Sequence, residues 1–192
     1  VFGDLLVRWP GVRPVLFVDP FEALIWAVIG QQVNTAFARK TKLAFIQRYA
    51  EKVTLGGEDQ LLFPSPATLA AIREGELRAL QFSRQKESYI RALARRVLEG
   101  RLCLSALGKL PSQEALARLV EERGVGRWTG EDVLLRVLLH IDVMPAGDGG
   151  LRRSIGLRYL GRIATEEEVR AIGRKWVGWR GYAAFYWWLA LQ

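Results

Sequence analysis

Apolar residues recur along most of this chain at three- and four-residue spacing, the period of helices that bury one face. Phe21, Leu24, Ile25, Val28 and Ile29 form the first clear stripe. Asp19-Pro20-Phe21-Glu22 has the form of a helix start, with an N-cap carboxylate, proline in the first turn and glutamate at the third helical position. Gly30-Gln31-Gln32-Val33 ends that stripe. The pattern predicts further helices from Asn34 to Tyr49, after Ser65-Pro66, between a Ser83 cap and Gly100, and after a Ser112 cap. Thr129-Gly130-Glu131-Asp132 reads as a capping box with acidic residues in the first turn, so a helix is expected to begin at Thr129. Thr165-Glu166-Glu167-Glu168 repeats that pattern, and Trp179 to Leu191 predicts one more helix. No stretch alternates convincingly at period two, and Gly56-Gly57-Glu58-Asp59 reads as a surface loop. The expected fold class is all-α, with no internal repeat and no linker that would divide the chain.

Two glycine-rich stretches break the helical pattern in an informative way. The first is Arg123-Gly124-Val125-Gly126-Arg127-Trp128-Thr129. A Gly-x-Gly turn followed by a helix start can present backbone N–H groups to a phosphate. An ordinary glycine-containing helix connection has the same local appearance. The second stretch follows about twenty residues later: Met144-Pro145-Ala146-Gly147-Asp148-Gly149-Gly150-Leu151-Arg152-Arg153. Asp148 before Gly149-Gly150 and a helical run reads as an N-cap or turn residue. A capping carboxylate can also face a cleft, so the two roles are compatible.

Composition narrows the partners. The 192 residues carry a net charge of +8, which suits a polyanion and also a well-solvated surface. Half of the residues are apolar, enough for a sizeable core. Cys103 is the only cysteine, so no intrachain disulfide can form and a reducing, cytoplasmic setting is expected. No apolar run approaches the ~20 residues of a membrane span, and no signal peptide is visible.

In order and spacing, four segments resemble the helix-hairpin-helix DNA glycosylase superfamily, and within it the bacterial DNA-3-methyladenine glycosylase II family. Asp19 to Leu24 with Gly30-Gln31-Gln32-Val33 is similar to that family's first core helix and DNA-inserted turn. Gly124 to Thr129 is similar to its hairpin. Pro145 to Asp148 with Leu151-Arg152-Arg153 is similar to its catalytic loop, and Trp176 with Trp179 to Ala184 to its C-terminal signature. The resemblance implies two helical subdomains flanking a cleft. Residues 18–140 would form the larger, with the hairpin at 123–129, and residues 1–17 with 141–192 the smaller.

The resemblance also implies residue roles. Asp148 takes the position of the essential carboxylate. Trp128 and Trp188 take positions of rings around a flipped base, with Asp132 and Gly149 at neighbouring positions that carry aromatics in some members. Gln31 and Gln32 lie on the DNA-inserted turn, with Gln32 as the wedge. Gly124, Gly126, Arg127 and Thr129 would hold a phosphate. A monovalent cation on the backbone carbonyls of Val120, Glu122 and Gly124 occurs in some members; no other cofactor and no side-chain metal site is expected. Trp128 stands where backbone-cutting relatives carry a Schiff-base lysine, and one cysteine cannot hold an iron-sulfur cluster.

The expectation is a monomeric, monofunctional enzyme that excises alkylated bases from double-stranded DNA without membrane association. The alternatives are a glycosylase for another lesion and a non-catalytic DNA-binding module that uses only the hairpin. Replacement of rings by Asp132 and Gly149 predicts a wider, less aromatic pocket.

Overall fold

The computed structural model describes residues 2–191. Among them are eleven α-helices and one small antiparallel sheet. Helix α1 (Phe2–Arg8) is followed by α2 (Pro20–Gly30) and α3 (Thr35–Tyr49). Strands β1 (Glu51–Leu55) and β2 (Glu58–Leu62) come next. The chain continues through α4 (Pro66–Ala71), α5 (Arg84–Leu98), α6 (Leu104–Leu107), α7 (Ser112–Val120) and α8 (Arg127–Arg136). It ends with α9 (Gly149–Leu160), α10 (Glu166–Gly173) and α11 (Arg180–Leu189).

Most predicted helix starts are found near the expected positions and carry side-chain caps. Asp19 accepts from Phe21 N at 2.8 Å, Asn34 from Phe37 N, Ser65 from Thr68 N and Ser83 from Lys86 N. Thr165 and Glu168 form the complete reciprocal capping box. Three expectations need correction. The segment after Tyr49 is a β-hairpin rather than a plain loop, paired from Glu51 with Leu62 to Leu55 with Glu58. Gly56 and Gly57 both have positive φ, 61° and 87°, as a tight two-residue hairpin turn requires. The strands are almost wholly exposed, so no buried face imposes alternation on their sequence. Ser112 does not cap α7, since Pro111 holds that place and the Ser112 hydroxyl bonds His140 Nδ1 at 2.8 Å. Helix α8 begins at Arg127 rather than Thr129, and its N-cap, Gly126, supplies no side chain.

The buried side chains form two clusters. The first holds Leu24, Ile25, Val28 and Ile29 of α2 with Phe45, Ile90, Leu93, Leu119, Val133 and Leu134. The second holds Leu135, Met144, Leu151, Ile155, Val169, Trp176, Ala184 and Trp187, with Phe2 and Leu5 of α1 against it. Fully burying an aliphatic side chain contributes roughly 1.5–3 kcal/mol, so each cluster has ample apolar mass to hold its helices. Helix α8 joins them, with Leu134 in one and Leu135 in the other. Its remaining face, carrying Trp128, Asp132 and Arg136, borders an open cavity. No helix among the described residues is long and apolar enough to cross a membrane.

Candidate functional site

The cavity measures about 540 Å³. Helix α8 supplies Trp128, Asp132 and Arg136 to its wall, α11 supplies Phe185 and Trp188, and α2 supplies Trp26. Asp148 enters at the start of α9. Its Oδ1 accepts from Leu151 N at 2.9 Å, which makes it the N-cap of that helix. The same oxygen accepts from the Trp188 indole N–H at 2.8 Å. The second oxygen, Oδ2, has no hydrogen-bond partner among the described residues. Asp148 is thus both a cap and a cavity residue, as its sequence context allowed.

Gly150 makes this approach feasible. A Cβ there would lie 2.9 Å from Asp148 Oδ1 and 3.4 Å from Trp188 Cδ1. Gly149, expected at the pocket, is exposed and does not line the cavity; Gly150 takes that place. The two neighbouring tryptophans divide their roles. Trp187 is buried in the second core cluster, and Trp188 is half-buried at the cavity.

Asp132 is not a capping residue, because α8 starts earlier than expected and places it inside the helix. It is buried, and its Oδ1 accepts from Arg136 Nε at 2.9 Å. Burial pushes its carboxyl above the usual carboxylate range; Arg136 opposes that shift, and the Asp148 charge adds to it. The Arg136 guanidinium lies 4.7 Å from the centre of the Trp188 ring and 5.7 Å from that of Phe185. Arg136, Phe185 and Trp26 escaped the sequence reading. Trp128, Asp132 and Arg136 recur at four-residue steps on one helix face, and Phe185 precedes Trp188 by three, so helical spacing could have found two of them. Phe185 and Trp26 join Trp128 and Trp188 in the wall, two rings beyond those expected there.

Trp128 also borders a second groove, which runs along the hairpin past Gln31, Gln32, Lys86, Tyr89, Arg123 and Gly126. Gly124 has φ +94°, and a Cβ there would collide with the Tyr89 ring. The first N–H groups of α8 have no side-chain cap, which leaves them directed into the turn. Thr129 is buried, and its hydroxyl accepts from Gln31 Nε2 at 2.9 Å. Gln31 also donates to Gly124 O at 2.8 Å, so its side chain pins α2 to the hairpin and is not free to wedge into DNA. Gln32 is exposed, with φ at 54°. The Arg127 guanidinium bonds Glu131, which Arg170 also grips with two nitrogens.

The backbone carbonyls expected to hold a cation belong to the end of α7 and to the turn. Glu122 O accepts from Val125 N, and Gly124 O from Gln31, which leaves each a second lone pair. Carbonyl oxygens are donors that suit a hard cation. Among the described residues no three His, Cys, Asp or Glu side chains are grouped so as to hold a metal.

Residues 25–178 match the HhH-GPD superfamily of base excision DNA repair proteins. The chain belongs to this superfamily. It is 35% identical over 195 residues to the DNA-3-methyladenine glycosylase of Bacillus subtilis (strain 168), an alignment that covers 98% of this chain and 64% of that protein. It is 31% identical to DNA-3-methyladenine glycosylase 1 of Schizosaccharomyces pombe, over 88% of this chain and 72% of that one. Among solved structures, the 3-methyladenine DNA glycosylase of Archaeoglobus fulgidus superposes with a TM-score of 0.86 at 29% identity, over 97% of this chain and 64% of that chain. The S. pombe enzyme Mag1 in complex with abasic DNA gives 0.83 at 28% identity, over 97% of this chain and 88% of that chain. The chain therefore spans a little under two thirds of the B. subtilis and A. fulgidus proteins.

Proposed function

We propose that this protein is a monofunctional DNA glycosylase that removes alkylated bases from double-stranded DNA. The observation that carries this reading is the carboxylate of Asp148, oriented by Leu151 N–H and the Trp188 indole in a ring-lined cavity that adjoins the hairpin. A module that only clamps phosphate needs no such carboxylate.

Alkylation at N3 or N7 of a purine makes the base cationic and weakens its glycosidic bond. Extrusion of the nucleotide costs a few kcal/mol of stacking and pairing. The hairpin N–H groups and Arg123 would hold the phosphates during that step, helped by a cation if one sits on the nearby carbonyls. When the C1′–N bond breaks, its electron pair leaves with the base, and positive charge develops on the sugar. Oδ2 of Asp148, the oxygen without a protein partner, would stabilise that charge and orient the water that attacks C1′. The water gives its oxygen to C1′, and its proton passes to Asp148 or solvent.

Trp128 occupies the hairpin position that a Schiff-base lysine would need, so the backbone stays uncut. Every residue in this scheme comes from one chain, so a single copy suffices. The test is incubation with duplexes that each carry one defined lesion, followed by detection of the free base. Release of 3-methyladenine or 7-methylguanine supports the reading; release of no base from any duplex overturns it.

A further inference from the structure

Cleavage of the glycosidic bond employs Asp148 and leaves the second carboxylate of the cavity, Asp132, without a task. Its surroundings are specific. Arg136 donates to Asp132 Oδ1 at 2.9 Å while its guanidinium lies on the Trp188 ring at 4.7 Å. Asp132 and Arg136 both line the cavity, together with Trp188 and Trp128. A flat cation thus rests on an indole face with a carboxylate at its edge, an arrangement favoured by cation–π attraction and by charge-assisted hydrogen bonding.

An alkylated purine has the same attributes: flat, positively charged and bearing N–H groups at its rim. Arg136 in its present position would repel such a base, because like charges interact strongly where water is excluded. Its side chain is held by two kinds of contact, the ion pair to Asp132 and the stacking on Trp188 and Phe185. A cationic base could replace both of them. Burial makes this a costly place for an unpaired carboxylate, so Asp132 in its ionised form favours a positive partner, whichever cation supplies it.

We infer that Arg136 holds the place of a cationic base in the empty pocket, and that Asp132 is the specificity-determining residue that selects positively charged bases once Arg136 swings aside. This rests on the glycosylase reading above and assigns a residue to its substrate class. A neutral base gains nothing from Asp132 and leaves the Asp132–Arg136 pair in place.

The test compares duplexes containing 7-methylguanine, a cation, with duplexes containing neutral hypoxanthine. Release rates are measured for both. Affinities are measured on 2′-fluoro versions of both lesions, which resist cleavage. Wild type is compared with Asp132→Asn, Asp132→Glu and Arg136→Met. The ratio of cationic to neutral lesion, in rate and in affinity, should fall at least ~10-fold in Asp132→Asn, as expected when a charge partner is lost, and recover in Asp132→Glu. It should rise in Arg136→Met, a comparison that stands even if Asp132→Asn fails to fold. An unchanged ratio in the variants, with the wild type active, overturns this inference alone. A wild type that releases no base from any duplex overturns the glycosylase reading and this selectivity with it.

Discussion

The indole N–H of Trp188 donates to Asp148 Oδ1 at 2.8 Å, joining residues 40 positions apart in the chain. The same oxygen caps α9 through Leu151 N–H. Two donors on one oxygen fix the plane of the carboxylate and leave Oδ2 for other work. Hydrogen bonds to an ionised group are shorter and stronger than neutral ones, so this orientation is well held. The site therefore depends on the packing of α11 as much as on the loop that carries Asp148.

Asp148→Asn separates the two roles of that side chain. Asparagine caps a helix about as well as aspartate, so thermal stability should change little. The negative charge is lost, and base release should fall at least ~10²-fold if Asp148 is the main electrostatic stabiliser. Affinity for undamaged duplex should stay within a few-fold. Single-turnover release of 7-methylguanine with parallel circular dichroism measures this, and near wild-type release by a folded variant would contradict the assignment.

Trp188→Phe keeps a ring and removes the N–H. A hydrogen bond to a charged group contributes roughly 1.5–3 kcal/mol, so the single-turnover rate should drop ~10- to 100-fold. The loss should almost vanish when Asp148 is already asparagine, since coupled residues are not additive. Equal losses in both backgrounds would mean that Trp188 acts only as a packing surface.

What was legible in the sequence follows from how local each cause is. The caps at Asp19, Asn34, Ser65, Ser83 and Thr165 act within three residues of themselves and could be read directly. Thr129 misled because its hydroxyl is held by Gln31, 98 residues away, and no local pattern reports that contact. The hairpin β1–β2 was invisible because its strands bury nothing. Asp148, Trp128 and Trp188 were recognised from four segments in order, and the structure gathers all three at one cavity. Helical spacing puts Arg136 on the face of Trp128 and Asp132, but its stacking on the α11 rings depends on two elements meeting and has no local signal.

Backbone cleavage should be absent. A β-elimination pathway needs an amine at the sugar carbon, and Trp128 offers an indole instead. Borohydride added during turnover on lesion-containing duplex should trap no covalent protein–DNA adduct, and abasic product should stay intact until treated with alkali. A trapped adduct would identify another amine at the site and a bifunctional enzyme.

The cavity should accept several alkylated bases. It measures about 540 Å³, and its walls are largely rings and aliphatic groups such as Trp26, Ala27, Val33, Phe185 and Trp188. Apolar walls discriminate by only about 10- to 200-fold for small changes in shape, whereas sites built on hydrogen bonds to the substrate reach 10⁴ or more. Release of cationic bases that differ in shape, such as 3-methyladenine and 7-methylguanine, from matched duplexes should differ by less than ~10³-fold. A larger preference would require ~4 kcal/mol of discrimination that these walls do not offer.

The hairpin should bind DNA through two physically different kinds of contact, and two substitutions should tell them apart. Gly124 has φ +94° and lies against the Tyr89 ring, so Gly124→Ala forces the turn or the ring to move and displaces the N–H groups that follow. Those donors are neutral and release no counterions when they meet a phosphate. Gly124→Ala should therefore lower affinity at every salt concentration while preserving the slope of log K against log salt. Arg123 is exposed beside Tyr89, and a guanidinium on a phosphate contributes about 0.9 to that slope. Arg123→Ala should lower affinity most at low salt and flatten the slope by roughly that amount. Fluorescence anisotropy on one undamaged duplex across ~50–200 mM salt distinguishes the two, and identical slopes for both variants and the wild type would remove Arg123 from the interface.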